Sequence, residues 1–215
     1  MRAAVLGAND GVVSTASLIV GVAAAASGPD QIVLTGVAGV VAGALSMAAG
    51  EYVSVSSQAD AERADLAREA KELADDRDGE LRELTQIYVQ RGLEPTLAAQ
   101  VAAQLMATDA LAAHARDELG LSDNGAARPV QAALASAVAF ALGGVLPLLA
   151  AACSPPQSIA LAVAVVTMIG LIALGAIGAL AGGAPPLPAT ARVVFWGALA
   201  MAVTAGIGKL VGAVL

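Results

Sequence analysis

Five long apolar runs set the class of this chain before any motif is read. They cover residues 3–26, 32–50, 130–152, 158–182 and 193–215. A helix that crosses a bilayer needs roughly 20 mostly apolar residues, and each run comes close to or exceeds that length. Hydrophobic residues make up 58% of the chain and charged ones 13%, whereas soluble domains carry about a quarter charged residues. The breaks carry turn chemistry: Ser27-Gly28-Pro29-Asp30, Ser154-Pro155-Pro156 and residues 182–188. The expected fold is all-α, a polytopic membrane protein with five transmembrane helices. Aromatic anchors at the interfaces are few, with Trp196 and Tyr52 as candidates.

The first run does not read as a cleaved signal peptide. Arg2 and the alanines of 23–26 fit one, but Asp10 inside the apolar stretch and the length of the run do not. Cys153 is the single cysteine, so it forms no internal disulfide, and no role is assigned to it.

The charges are gathered in one place. Of the 18 acidic residues 15 lie between Ser57 and Gly125, with seven of the 11 basic ones, an excess of eight negative charges when His114 is neutral. The expected division is therefore 1–56 for the first two spans, 57–126 for an acidic helical domain, and 127–215 for the last three spans. Five spans place the N-terminus and this domain on one side of the membrane. Arg2, Arg128 and Arg192 all fall at span ends on that side, which makes it cytoplasmic. Lys209 falls on the other side, from which it can snorkel.

Within the domain the pattern is helical. Ala61, Ala64, Leu66, Ala67 and Leu73 form a thin stripe in a charged helix, and Asp75 to Gly79 reads as a turn. Leu81, Leu84, Ile87, Tyr88 and Leu93 recur at three- and four-residue spacing, which predicts a helix over 80–90. Pro95 opens a third helix bearing Leu97, Val101, Leu105 and Met106, and a final piece runs over 109–119. No strand pattern, glycine loop or nucleophile motif is present, and no enzyme activity, prosthetic group or nucleic-acid partner is expected.

Two sets of acids carry chemistry. Glu69 and Glu72 share a helix face, as do Glu80 and Glu83. A hairpin centred near Asp76 sets Glu72 opposite Glu80 and Glu69 opposite Glu83, so four carboxylates could converge on a divalent ion. Such pairs are equally common on solvated helices, and Arg68, Lys71, Arg77 and Arg82 are interleaved as ion-pair partners. Spacing leaves both readings open. His114 and the pair Asp117-Glu118 are further candidate ligands, although a lone histidine on an exposed helix is ordinarily no ligand.

The second set is inside the spans. Ionisable residues there mark ion or proton pathways. Asp10, Met47 and Glu51 fall at similar depth if the first two spans are antiparallel, with Met47 and Glu51 on one face. Carboxylates with a thioether suit a borderline ion such as Fe²⁺ better than Mg²⁺ or Ca²⁺. A carboxylate in a low-dielectric site can also exchange a metal for a proton. A helix cap is the plain alternative for Glu51, and packing for Met47.

Four stretches, "GANDGVVSTASLIVGVAAA", "AGALSMAAGEYVSVSSQAD", "ELTQIYVQRGL" and "HARDELGL", resemble in order and spacing the vacuolar iron transporter family, also called nodulin-21-like. The "GEYVSVSSQ" form is similar to its bacterial branch. The resemblance implies export of Fe²⁺, and often Mn²⁺, from the cytosol by proton antiport. It implies a homodimer in the bacterial inner membrane, with the pathway between the first spans of two subunits. It places Asp10 and Met47 in the pathway, and Glu69, Glu72, Glu80, Glu83 and Glu118 as metal ligands in the cytosolic domain. The chain departs from the plant-type pattern at three points. Gly39 stands where a glutamate is expected, with Glu51 as its substitute; His114 and Ala115 replace a methionine pair, so an imidazole serves there; and a longer native N-terminus is expected before Met1-Arg2. The alternatives from other classes are a membrane-anchored di-iron carboxylate oxidase and a non-transporting adaptor. The oxidase wants Glu-Xaa-Xaa-His pairs, and Leu111 stands three residues before the only histidine.

Overall fold

The computed structural model describes residues 2–26, 28–121 and 127–214. Ser27 of the expected first turn, and residue 126 at the expected domain boundary, lie outside the described residues. The described chain is helical, in the order α1 (Arg2–Ala24), α2 (Pro29–Asp75), α3 (Arg77–Gln90), α4 (Pro95–Asp117), α5 (Pro129–Ala152), a 3₁₀ turn (Pro156–Ser158), α6 (Ile159–Ala181) and α7 (Pro186–Gly212). Five helices, α1, α2, α5, α6 and α7, are long and apolar enough to cross a membrane. This is an all-α polytopic membrane protein.

The chain divides into two compact units, one of Met1–Val53 with Pro129–Leu215 and one of Ser54–Arg128. In the first unit α1 is the central helix and packs on α5, α6 and α7. Glycine makes the α1–α5 contact close. A Cβ on Gly11 would run into the carbonyl of Phe140, and one on Gly143 into the carbonyl of Ala8. The axes could not approach this nearly with any larger residue. Ala16, Ile19, Val20, Ala151, Ile159, Val163 and Met201 form the core between these helices. α5 continues through Pro147, which is buried. Leu34, Val41 and Leu45 of α2 remain exposed, as befits side chains in contact with lipid or another chain.

The second unit is built by capping. Pro95 stands at the start of α4, and the Glu94 carboxylate accepts from the backbone N–H of Thr96 and Leu97. Gly92 and Gly120, at φ +99° and +68°, follow the ends of α3 and α4. Leu84, Tyr88, Ala98, Ala102, Met106 and Ala113 close a small core between α3 and α4. The expected turn over 75–79 is shorter than its sequence suggests. α2 runs to Asp75 and α3 begins at Arg77. Asp76 alone makes the break, because its Oδ1 accepts from the N–H of Gly79 at 2.8 Å, which draws Gly79 into the first helical turn. The two helices expected over 95–106 and 109–119 meet at a kink at Asp109, which leaves helical geometry (φ −157°, ψ 99°). Its Oδ1 caps the N–H of Ala112 at 3.0 Å.

Candidate functional site

The membrane unit holds a cavity of about 220 Å³ lined by Asp10, Ser14, Thr15 and Leu18 of α1, Gly39, Gly43, Ser46 and Met47 of α2, and Phe140 of α5. It exists because two glycines of α2 leave no side chain on that face. A Cβ on Gly39 would meet Leu18, and one on Gly43 the ring of Phe140. Asp10 is the one ionisable residue in this lining. The Ser14 hydroxyl donates to the Asp10 carbonyl, whereas the buried Thr15 hydroxyl has no partner among the described residues. A carboxylate, hydroxyls and a thioether therefore face one space. The lining includes Met47 but not Glu51, which lies one turn further along α2 and is half-buried.

The second unit holds a tighter arrangement. One oxygen from each of Glu69, Glu80 and Glu118 and one nitrogen of His114 lie within 4.8 Å of one another. His114 Nδ1 is 2.9 Å from Glu69 Oε1, 2.9 Å from Glu118 Oε2 and 3.7 Å from Glu80 Oε2. Ligand atoms cis to one another at ~2.1 Å from an ion stand about 3 Å apart, so these residues could hold a metal ion. The imidazole nitrogen carries at most one proton and hydrogen-bonds to Glu118. Glu69 Oε1 is buried with no hydrogen bond among the described residues. An ion with several open positions satisfies every atom of the set where one proton satisfies only a pair.

The electrostatics agree with the geometry. Burial pushes the Glu69 carboxyl up to about 7, aided by the charges of Glu118, Glu80 and Glu72 and opposed by His114. Burial likewise raises Glu80, with Glu83 the next cause. Carboxylates crowded in this way repel one another until a cation joins them.

The sequence-derived residues separate in this frame. Glu69, Glu80, His114 and Glu118 come together, whereas Glu72 and Glu83 are exposed and act on the cluster through charge alone. The histidine expected on an exposed helix face is instead wholly buried. It lies on the last turns of α4, past the bend at Asp109. Asp117 is not in the cluster; its carboxylate is taken up by Tyr88, Arg91 and Arg116. The interleaved bases pair elsewhere too: Arg68 with Asp65, Arg82 with Asp76, and Arg77 with the carbonyl of Met106. Sequence reasoning missed Thr15, Ser46 and Phe140 as cavity walls, and Tyr88 and Arg91 as partners of Asp117. The one available signal was a tyrosine and an arginine three apart beside a glycine helix stop.

Comparison with known proteins matches residues 1–209 to the VIT family. A protein of Acanthamoeba castellanii named vacuolar iron transporter is 47% identical over 211 residues, covering 98% of this chain and 78% of that protein. Vacuolar iron transporter homolog 2 of Arabidopsis thaliana is 39% identical over 213 residues, covering 99% and 84%. Vacuolar iron transporter homolog 5 of Oryza sativa subsp. japonica is 39% identical over 211 residues, covering 98% and 79%. With a match that runs from the first span into the last, the chain belongs to the VIT family.

Proposed function

We propose that this protein is an iron transporter that exports Fe²⁺, and also Mn²⁺, from the cytosol in exchange for protons. The observation that carries the reading is the membrane cavity that Asp10 and Met47 both line. A hard carboxylate with a soft thioether suits a borderline divalent ion. The same carboxylate can take a proton when the ion leaves, which is what antiport needs. The names of the relatives support iron as cargo. Glu69, Glu80, His114 and Glu118 would bind the ion on the cytosolic side, with Glu72 and Glu83 adding negative potential. Glu51 would meet ions near the end of the second span.

The working form is a homodimer in a bacterial inner membrane, with the N-terminus and acidic domain cytoplasmic. The exposed apolar face of α2 supports a partner there. An oxidase reading is weaker, because one histidine serves the whole chain and a di-iron site draws on two Glu-Xaa-Xaa-His pairs. The test is metal uptake by proteoliposomes under an imposed pH gradient, with Fe²⁺, Mn²⁺, Co²⁺ and Zn²⁺ in competition. Asp10→Ala should abolish uptake, and wild-type rates in that variant would remove the pathway assignment. Uptake indifferent to the gradient would remove the antiport.

A further inference from the structure

The last turns of α4 and the residue that follows them carry two of the four clustered side chains, His114 and Glu118. The bend at Asp109 separates residues 110–117 from the rest of α4. A piece of two turns has too few internal hydrogen bonds to be stable alone. Beside the Asp109 cap, a set of contacts reaches it from α3. Tyr88 Oη donates to Asp117 Oδ2 at 2.7 Å. Arg91 forks onto the same residue, one arm to Oδ1 at 2.5 Å and the other to the backbone carbonyl at 2.7 Å. The guanidinium also lies 5.5 Å from the centre of the Tyr88 ring. Arg116 adds two contacts to Oδ2. At its other end, α3 is tied to α4 ahead of the bend by Arg77 and the Met106 carbonyl, 3.1 Å apart. α3 thus grips α4 on both sides of the break. Asp117 is adjacent in sequence to Glu118 and three residues from His114.

We infer that Tyr88, Arg91 and Asp117 form a clamp that positions His114 and Glu118 against Glu69 and Glu80, so that these three residues set metal affinity without touching the ion. The inference rests on the cluster being a metal site. Asp117 is spent as an anchor: its carboxylate is only 10% exposed and is fully engaged. Bidentate arginine contacts fix orientation as well as distance. Partners of this kind, outside the ligand shell, typically govern 10–100-fold in affinity.

The experiment uses the full-length protein in detergent, with Mn²⁺ as the probe. His114 is the only histidine, so a nitrogen coupling in the pulsed paramagnetic resonance spectrum of bound Mn²⁺ reports this site and not the membrane cavity. Tyr88→Phe, Asp117→Asn and Arg91→Lys are compared with wild type. The phenylalanine keeps the ring that packs in the α3–α4 core. In all three we expect the nitrogen-coupled Mn²⁺ to bind about tenfold more weakly or worse, with the spectrum restored at higher Mn²⁺ and the metal-free melting temperature little changed. Wild-type affinity in Tyr88→Phe and Asp117→Asn would overturn the clamp while leaving the site. Affinity lost only in step with melting temperature would also overturn it, as a general packing effect. Absence of nitrogen coupling in wild type would overturn the metal site itself, and the clamp with it.

Discussion

His114 Nδ1 lies 2.9 Å from Glu69 Oε1, and both side chains are shut away from water, at 0% and 2% exposure. The two residues come from different helices, α4 and α2. An imidazole and a carboxylate in that position either share a proton or bind a cation together.

The choice between proton and cation makes metal binding depend on pH. Burial and the neighbouring glutamates hold Glu69 near 7 in the folded protein, above its ordinary 4.5. A raised carboxyl favours the folded state fully only below 4.5, and that contribution is lost as the pH rises to about 7. Metal-free protein should therefore lose stability across that interval. Added Mn²⁺ should restore it most strongly above 7, where Glu69 is ionised. Melting curves from pH 5 to 8, with and without Mn²⁺, measure both effects. A metal-induced shift that is the same at every pH would rule the coupling out.

In the proposed site His114 would supply a nitrogen ligand where the plant-type pattern carries a methionine pair. Exchanging it for glutamine should weaken binding to the domain by at least the 10–100-fold that loss of an outer partner costs. Zn²⁺ and Fe²⁺ should suffer more than Mn²⁺, because imidazole suits the former ions best. Competition titrations on His114→Gln give the ratio. An equal loss for all metals would mean that the histidine only fills space.

Gly39 lines the same cavity as Asp10, so the carboxylate of the plant-type pattern would face the same space. A Cβ there meets only the end of the Leu18 side chain, 2.6 Å away, which can turn aside. Gly39→Glu should hold the ion more tightly, with an apparent KM for Mn²⁺ roughly tenfold lower, the scale of one charge-assisted contact of about 1.5 kcal/mol. Release should slow and the maximal rate fall. Initial rates in proteoliposomes test it, and an unchanged KM would show that the added acid does not reach the ion.

Gly11 and Gly143 let α1 and α5 touch through their backbones. A methyl at either position meets a carbonyl that cannot rotate away, so the helices must part. Gly143→Ala should cost about 1–3 kcal/mol, the usual penalty of overpacking, and should displace α1, which carries Asp10. Thermal unfolding in detergent and metal uptake should decline together. Wild-type melting would show that the helices are further apart than described.

The amino-acid sequence alone determined the five spans, the acidic domain between the second and third, and the intramembrane position of Asp10. These follow from local quantities: the length of an apolar run, the spacing of apolar residues, and the cost of charge in hydrocarbon. It also narrowed the candidate ligands to a few acids and one histidine. Only the tertiary structure decided which of them meet. Hairpin symmetry treats Glu69, Glu72, Glu80 and Glu83 alike, yet Glu69 and Glu80 turn inward and the other two face solvent. Between these residues stand a one-residue break capped by Asp76, a bend at Asp109, and the hydrogen bonds of Tyr88 and Arg91 to Asp117. Each sets the rotation and rise of one helix against another, and the last joins residues far apart in sequence. In the spans, Met47 lines the same cavity as Asp10 while Glu51 does not, and Gly39, Gly43 and Phe140 shape that cavity together. Convergence depends on helix register and side-chain volume across elements, and no periodicity within one element records either.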